Sequence, residues 1–212
     1  MLELPEHLRT GYKQFRDGRY TEMADRFRKL GTGQSPKTMV IACADSRVDP
    51  ATIFSAGPGE LFVVRNVAAL VPPFDHSAGY HGTSAAIEFA VTGLNVSEIL
   101  VMGHGQCTGI AAALAAAEDR PVGQFIGPWV GLLDGIRDEL LERSDILQSS
   151  RRQTALERMA IQQSLDNLMT FPFVASAVEE DRLKLSGAWF SIGQGELFWL
   201  DWDTGVFERV DA

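Results

Sequence analysis

Each of the two cysteines in this chain stands at or just beyond the end of a short apolar run, and that placement restricts the fold more than any other feature. The first closes Met39-Val-Ile-Ala-Cys43 and is followed by Ala-Asp45-Ser-Arg47. The second ends Ile99-Leu-Val-Met-Gly103-His104-Gly-Gln-Cys107. Two thiols and an imidazole are donors that Zn²⁺ prefers, and three protein ligands leave a fourth position for water or substrate. A structural zinc closes with four Cys or His ligands, and the chain has no further cysteine. If the strands that end near Cys43 and His104 are neighbours, the three ligands converge at one sheet edge despite the long gap in sequence. Open α/β sheets form their sites there, beyond the carboxyl ends of strands where the strand order reverses. His104 and Cys107, three apart, suit the start of a turn or helix, and a helix N-terminus opening near Cys107 favours thiolate.

Punctuation and period supply the rest of the organisation. Apolar residues recur at helical spacing from Leu4 to Leu30 (Leu4, Leu8, Tyr12, Phe15; then Met23, Phe27, Leu30), with a break near Asp17-Gly18. Met39–Cys43, Leu61–Val64 and Glu98–Met102 are too short for helices and read as buried parallel strands. Gly82–Leu94 reads as a helix, with Thr83 or Ser84 as its cap and Ile87, Ala90, Val91 and Leu94 on one face. Ile110–Glu118, Phe125–Arg143 and Arg151–Thr170 are further helical stretches; Pro172 breaks the last, and Phe173–Glu180 continues as a short helix. Lys184–Ile192 and Glu196–Leu200 alternate like strands around a Gly193-Gln-Gly195 turn. The expected fold is α/β: a mostly parallel central sheet with an antiparallel edge strand, flanked by helices, with an N-terminal helical arm. Residues 1–212 are expected to form a single domain.

Composition excludes some partners. Lys+Arg 19 against Asp+Glu 28 gives 19 − 28 = −9, with no basic patch, which argues against nucleic acid and anionic membrane. No apolar stretch is long enough to span a bilayer. Met1-Leu-Glu-Leu-Pro-Glu-His7 lacks the basic and apolar regions of a signal peptide, so a cytoplasmic location is expected. There, two cysteines read as metal-binding or reactive thiols before they read as a disulfide.

Each residue also has an ordinary reading. A buried cysteine after a strand can be a small hydrophobe, His104 a turn residue, and Asp45 with Arg47 a surface ion pair. Gly103-His-Gly105-Gln-Cys-Thr-Gly109 is a loose form of a dinucleotide-binding turn, although His104 and Cys107 occupy positions that should stay small and uncharged. No Gly-x-Ser-x-Gly elbow or phosphate-binding Gly-Lys-Ser/Thr loop is present.

Cys43-Ala-Asp45-Ser46-Arg47, followed by His104-x-x-Cys107, resembles the paired signature of the β-class carbonic anhydrases. The resemblance runs on through Pro58–Val67, Leu70–Phe74, Gly82–Glu88 and Asn167–Phe173, and is to the plant-type branch. It implies zinc-dependent, reversible hydration of carbon dioxide to bicarbonate and a proton. Cys43, His104 and Cys107 would hold one Zn²⁺ per chain. Asp45 would accept a hydrogen bond from the reacting water or hydroxide, with Arg47 holding Asp45 away from the metal. Gln34 would donate to a substrate oxygen, Phe62 and Val67 would line an apolar CO₂ pocket, and Gly105 would give flexibility beside the metal. The resemblance also implies a homodimer or higher homo-oligomer, with the arm at residues 1–35 packing on a second subunit and the pocket completed across the interface at Phe62, Val67 and Phe89.

Departures from the family pattern are specific. Phe89 stands where tyrosine is usual, Thr108 where glycine is usual, and Gly105-Gln106 replaces commoner pairs. Val40 occupies the place of a tryptophan in members with a noncatalytic bicarbonate pocket, which argues against that form of inhibition. His76, Tyr80 and His81 are candidates for a proton shuttle by proximity in sequence only, and read equally as loop or interface residues. Two alternatives stay open: hydrolysis of CS₂ or COS on the same scaffold, and a non-catalytic zinc- or bicarbonate-binding protein.

Overall fold

A computed structural model describes residues 4–77, 79–118, 120–143 and 149–211, so Met1–Glu3 of the N-terminal reading lie outside the described residues. The chain divides into two compact units, Met1–Ser35 and Pro36–Ala212. Among the described residues no helix is long and apolar enough to cross a membrane.

The first unit contains helices α1 (Glu6–Asp17), α2 (Arg19–Glu22) and α3 (Ala24–Leu30). The expected break falls at Gly18, whose φ of −109° and ψ of −99° leave the helical region. Phe15 turns toward Tyr20 and Phe27, with ring centroids 5.9 and 5.7 Å away, while Leu4, Leu8 and Tyr12 remain at least half exposed. The predicted stripe is therefore split: Phe15 serves this small aromatic cluster and the other three face outward.

The second unit is built on a six-stranded sheet of order β2-β1-β3-β4-β5-β6. Its strands are β1 (Thr38–Cys43), β2 (Leu61–Asn66), β3 (Glu98–His104), β4 (Lys184–Ser191), β5 (Glu196–Leu200) and β6 (Phe207–Arg209). The first four are parallel and the last two antiparallel, so the predicted α/β class holds and gains a short edge strand, β6. Central β1 and β3 are buried on both faces and read as continuous apolar runs, whereas β2 at the edge exposes Val63 and Arg65. Along β1 the side chains alternate between layers: Met39 and Ile41 join one core cluster, Val40 and Ala42 another.

Helices α4 (Pro50–Ile53), α5 (Gly82–Glu88), α6 (Thr108–Ala116), α7 (Ile126–Val130), α8 (Asp134–Arg143), α9 (Ser149–Met169) and α10 (Pro172–Glu179) complete the unit. Asp49 caps α4 by accepting from the Thr52 N–H at 2.8 Å. The predicted helix over Gly82–Leu94 is α only to Glu88 and then widens into a π-turn over Phe89–Gly93. Its N-cap is His81, not Thr83 or Ser84; the Thr83 hydroxyl instead accepts from Asn66 Nδ2 at 3.3 Å.

Two strand glycines determine how closely α9 approaches the sheet. A Cβ added at Gly103 would lie 2.8 Å from Ile161 Cδ1; one at Gly187 would lie 3.0 Å from both Ile161 Cγ2 and Leu165 Cδ1. Gly187→Val is expected to destabilise the protein by about 1–3 kcal/mol through overpacking. For a chain of this size that lowers the melting temperature by roughly 2–4 °C per kcal/mol. Gly193→Ala, in the β4–β5 turn where an added Cβ meets nothing within 4 Å, is expected to leave the thermal melt unchanged.

Candidate metal centre

β1 and β3 are adjacent and parallel, while β2 lies on the far side of β1, so the strand order reverses between β1 and β3. Cys43 ends β1 and His104 ends β3, at the same carboxyl edge. Beyond His104 the chain turns through Gln106, a non-glycine residue at φ 55°, and Cys107 becomes the N-cap of α6. The three-residue step from His104 to Cys107 is thus a strand end, a left-handed turn and a helix start.

The sequence-predicted ligands converge. One ligand atom from each of Cys43, His104 and Cys107 lies within 4.8 Å of the others, and all three residues are buried. The two Sγ atoms are 3.9 Å apart and both cysteines are free, far beyond a disulfide length of about 2.05 Å. Two sulfurs about 2.3 Å from a tetrahedral Zn²⁺ stand roughly 3.8 Å apart. His104 Nδ1–H donates to the carbonyl of Gly105 at 2.9 Å, which leaves the Nε2 lone pair facing the sulfurs. That Nε2 is a buried atom without a hydrogen-bond partner. An unsatisfied buried nitrogen is costly, and a cation among these donors would satisfy it.

Protons compete for the same lone pairs. The Cys43 thiol is pushed down to about 4, first by its hydrogen bond with Cys107 and also by His104 and the backbone at Asp45. Cys107 is pushed up by that same bond to Cys43 and by burial, against the pull of the N–H groups of Ile110 and Gly109. The Sγ–Sγ hydrogen bond thus favours one proton shared between the two sulfurs. Burial works to lower the His104 pKa but is outweighed by Cys43, the Gly105 carbonyl and Asp45, so the net shift is upward.

Asp45 and Arg47 form a bidentate pair. Arg47 Nε donates to Asp45 Oδ1 at 2.9 Å and its Nη2 to Oδ2 at 2.7 Å, with the Arg47 backbone N–H adding a third bond to Oδ1. These bonds hold the Asp45 carboxyl well below the usual carboxylate range. Oδ2 also stands 3.9 Å from His104 Nε2, so the carboxylate borders the ligand cluster. Arg47 Nη2 donates further to the Gln106 carbonyl at 3.2 Å and ties the two ligand loops together.

Residues that sequence reasoning missed hold this constellation in place. Arg65, opposite Ala42 in the β1–β2 register, donates to the carbonyls of Cys43 at 2.8 Å, Asp45 at 2.5 Å and Val48 at 3.3 Å. Arg65 lies one residue beyond the predicted strand Leu61–Val64, and only the observed extension of β2 to Asn66 sets it beside Ala42. On α9, Glu157 accepts from the Cys107 N–H, and Gln153 donates to the Cys107 carbonyl. The helical period marks that pair only as one face of α9.

The remaining predicted residues are distributed more widely. Phe62 and Phe89 lie together, ring centroids 5.9 Å apart, with Phe89 half exposed. Val67 begins a tight turn in which Ala68 and Ala69 adopt φ of 66° and 57°. That turn is pinned by Asn66, which bonds both the N–H and the carbonyl of Leu70, and by Trp129 Nε1, which donates to the Val67 carbonyl at 2.8 Å. Gly109 is close-packed here: a Cβ would lie 2.7 Å from Val67 Cγ1. Gly105 is buried, and its Cβ would meet Trp189 at 2.9 Å, so close packing accounts for this glycine more directly than the expected flexibility. Gln34 is exposed and belongs to the first unit. Val40 is fully buried in the sheet and Thr108 is exposed at the start of α6. In the loop before α5, His76 meets Phe74 edge to face, His81 bonds the Ser77 carbonyl and Tyr80 is fully exposed.

Comparison with known proteins agrees with this geometry. Residues 38–197 match the family profile described as carbonic anhydrase. The chain is 35% identical over 208 residues to Beta carbonic anhydrase 3 of Arabidopsis thaliana, covering 96% of this chain and 80% of that protein. Among solved structures, the β-carbonic anhydrase CcaA superposes with a TM-score of 0.91 at 29% identity, covering 98% of this chain and 92% of that one. Tetrameric β-carbonic anhydrases from the filamentous ascomycete Sordaria macrospora match with a TM-score of 0.83 at 31% identity, covering 92% and 95%.

The Asp45–Arg47 pair has a testable pH signature. Because the folded carboxyl is depressed, the stability it contributes is complete above the ordinary aspartate pKa of about 3.9 and is lost as pH falls through the folded value. Arg47→Ala should therefore lower stability by a constant, small amount from neutral pH to about pH 4, with the difference from wild type shrinking below that. Thermal melts from pH 2 to 7 read this directly; a difference that grows in acid would contradict the pairing.

Proposed function

The chain belongs to the β carbonic anhydrase family, and from that premise we propose that it hydrates CO₂ reversibly to bicarbonate and a proton at one Zn²⁺ held by Cys43, His104 and Cys107. The observation that carries the reading is the buried Cys-His-Cys cluster, with its unpartnered His104 Nε2, beside a carboxylate locked to an arginine. The donor set fits zinc: two soft thiolates, one imidazole and room for a fourth ligand. When bound, the ion supplies Lewis acidity that makes water a nucleophile near neutral pH.

The chain's own residues do the orienting. Asp45 stays ionised because Arg47 occupies both its oxygens, so it acts only as an acceptor. It receives the O–H of the attacking oxygen and fixes the direction of the lone pair offered to CO₂. With both its oxygens committed to Arg47, the carboxylate would not compete for an ion held by Cys43, His104 and Cys107. Phe62, Val67 and Phe89 supply the apolar wall that a small linear substrate needs. The family's tyrosine hydroxyl is missing at Phe89, so this wall is wholly apolar there.

We further propose that the working unit is a homo-oligomer, at minimum a symmetric dimer, and that the arm at residues 1–35 packs on a partner copy. The exposed Leu4, Leu8 and Tyr12 support this, because an unpartnered arm gains nothing from such a stripe. The tetrameric Sordaria macrospora relatives support an oligomer of the same kind.

Stopped-flow CO₂ hydration combined with metal analysis tests the assignment. About one zinc per chain is expected, with Zn–S near 2.3 Å and Zn–N about 2.0–2.1 Å by X-ray absorption. Cys43→Ala and His104→Ala should lose metal and activity together; full zinc content in either would sink the ligand set. Deleting residues before Gly31 should lower both the mass in sedimentation and the hydration rate. A monomeric, fully active truncation would show that the pocket is built within one chain.

A further inference from the structure

Glu157 is an acidic side chain that neither the ligands nor the Asp45–Arg47 pair accounts for. It lies on α9 with 2% of its surface exposed. The groups that donate to it are neutral: Cys107 N–H at 3.0 Å and Gln153 Nε2 at 3.1 Å on Oε1, and Trp189 Nε1 at 3.1 Å on Oε2. Burying a carboxyl among neutral partners costs more than burying an apolar side chain of the same volume. The donors arrive at both ends, and a carboxylate can accept at both; a glutamine offers one acceptor and would turn an N–H toward the other donor. Gln153, one turn earlier on the same helix, also donates to the Cys107 carbonyl at 3.2 Å. Cys107 is thereby gripped at its N–H and its C=O by two side chains of one helix, directly after the left-handed turn at Gln106.

We propose that Glu157, with Gln153, is a positioning residue of the metal centre: the pair fixes the main chain of Cys107 and so holds its Sγ in place relative to Cys43 and His104. The proposal rests on the reading of Cys107 as a metal ligand. Gly103 and Gly187 make the grip possible, since they let α9 descend onto the strand that ends in His104. Outer partners of this kind act through the ligand they orient, and losing one typically weakens metal binding 10–100-fold.

The test uses the full chain and three variants: Glu157→Gln, Gln153→Ala and Trp189→Phe. Zinc affinity is measured by competition with a chromogenic chelator, and Co²⁺-loaded protein is followed by its visible thiolate-to-metal bands. Wild type should take up about one metal per chain. Glu157→Gln should weaken zinc binding about 10–100-fold and shift the cobalt bands. Gln153→Ala should move both readouts the same way by less, because it gives up the bond to the Cys107 carbonyl and one donor to Glu157 but leaves the Glu157 bond to the Cys107 N–H. Gln153 borders a cavity of about 720 Å³ shared with Gln106 and Glu157, so its truncation disturbs little packing and decides the matter if Glu157→Gln does not fold. Trp189→Phe removes the bond to Oε2 but leaves Cys107 gripped, so it should lower the melting temperature while keeping zinc affinity within a few-fold. Unchanged affinity and cobalt bands in folded Glu157→Gln and Gln153→Ala would overturn the grip and leave the metal centre standing. A wild-type chain that binds neither zinc nor cobalt would instead overturn the metal reading, and the grip with it.

Discussion

Cys43 and His104 meet because β1 and β3 run side by side and parallel, although the whole of β2 and α5 separates them in the chain. A parallel pair needs a crossover, and this one carries the chain out to β2 and back over the sheet before β3 begins. The reversal leaves a crevice at the carboxyl edge that no strand fills. Arg47, Arg65, Glu157 and Gln153 all act at that edge, and most of their bonds go to main-chain atoms of the ligand-bearing loops. Main-chain anchoring suits the task, because it positions a ligand without competing for its lone pairs.

The polar bonds around the site form two opposed supports. From the β2 side, Arg65 and Arg47 gather the carbonyls of the Cys43–Val48 loop and of Gln106. From the α9 side, a carboxyl and an amide hold Cys107. Basic groups face the loop that presents a carboxylate, and the acidic group faces a helix N-terminus, where a negative charge is favoured. The local polarity thus runs with the chain's own dipoles on both sides.

Much of this is legible in the sequence, and the reasons differ by element. β1 and β3 stand out as continuous apolar runs because both their faces are buried. The ligands stand out because Cys and His are rare types at strand ends, and the Asp45–Arg47 pair because its members are two residues apart. β6 does not stand out: three residues after an Asp- and Gly-containing turn carry no usable period. Nor does the π-turn at Phe89, since one extra residue per turn leaves Ile87, Ala90, Val91 and Leu94 on a face that still looks helical. Glu157 and Gln153 are the hardest to foresee, because their significance depends on a helix depth set by Gly103 and Gly187, far away in the chain.

The brevity of β6 affects how the molecule behaves at high concentration. An exposed sheet edge is a template on which another chain can add a strand, and a long apolar one invites open-ended polymerisation. Here the edge offers only Phe207–Arg209; Phe207 is buried, while Glu208 and Arg209 face solvent with opposite charges. Arg209 is already engaged with Glu196 on the neighbouring strand at 3.1 Å. An incoming strand would find few backbone groups to pair with and two charges to desolvate. That edge is therefore defended against aggregation by its own shortness.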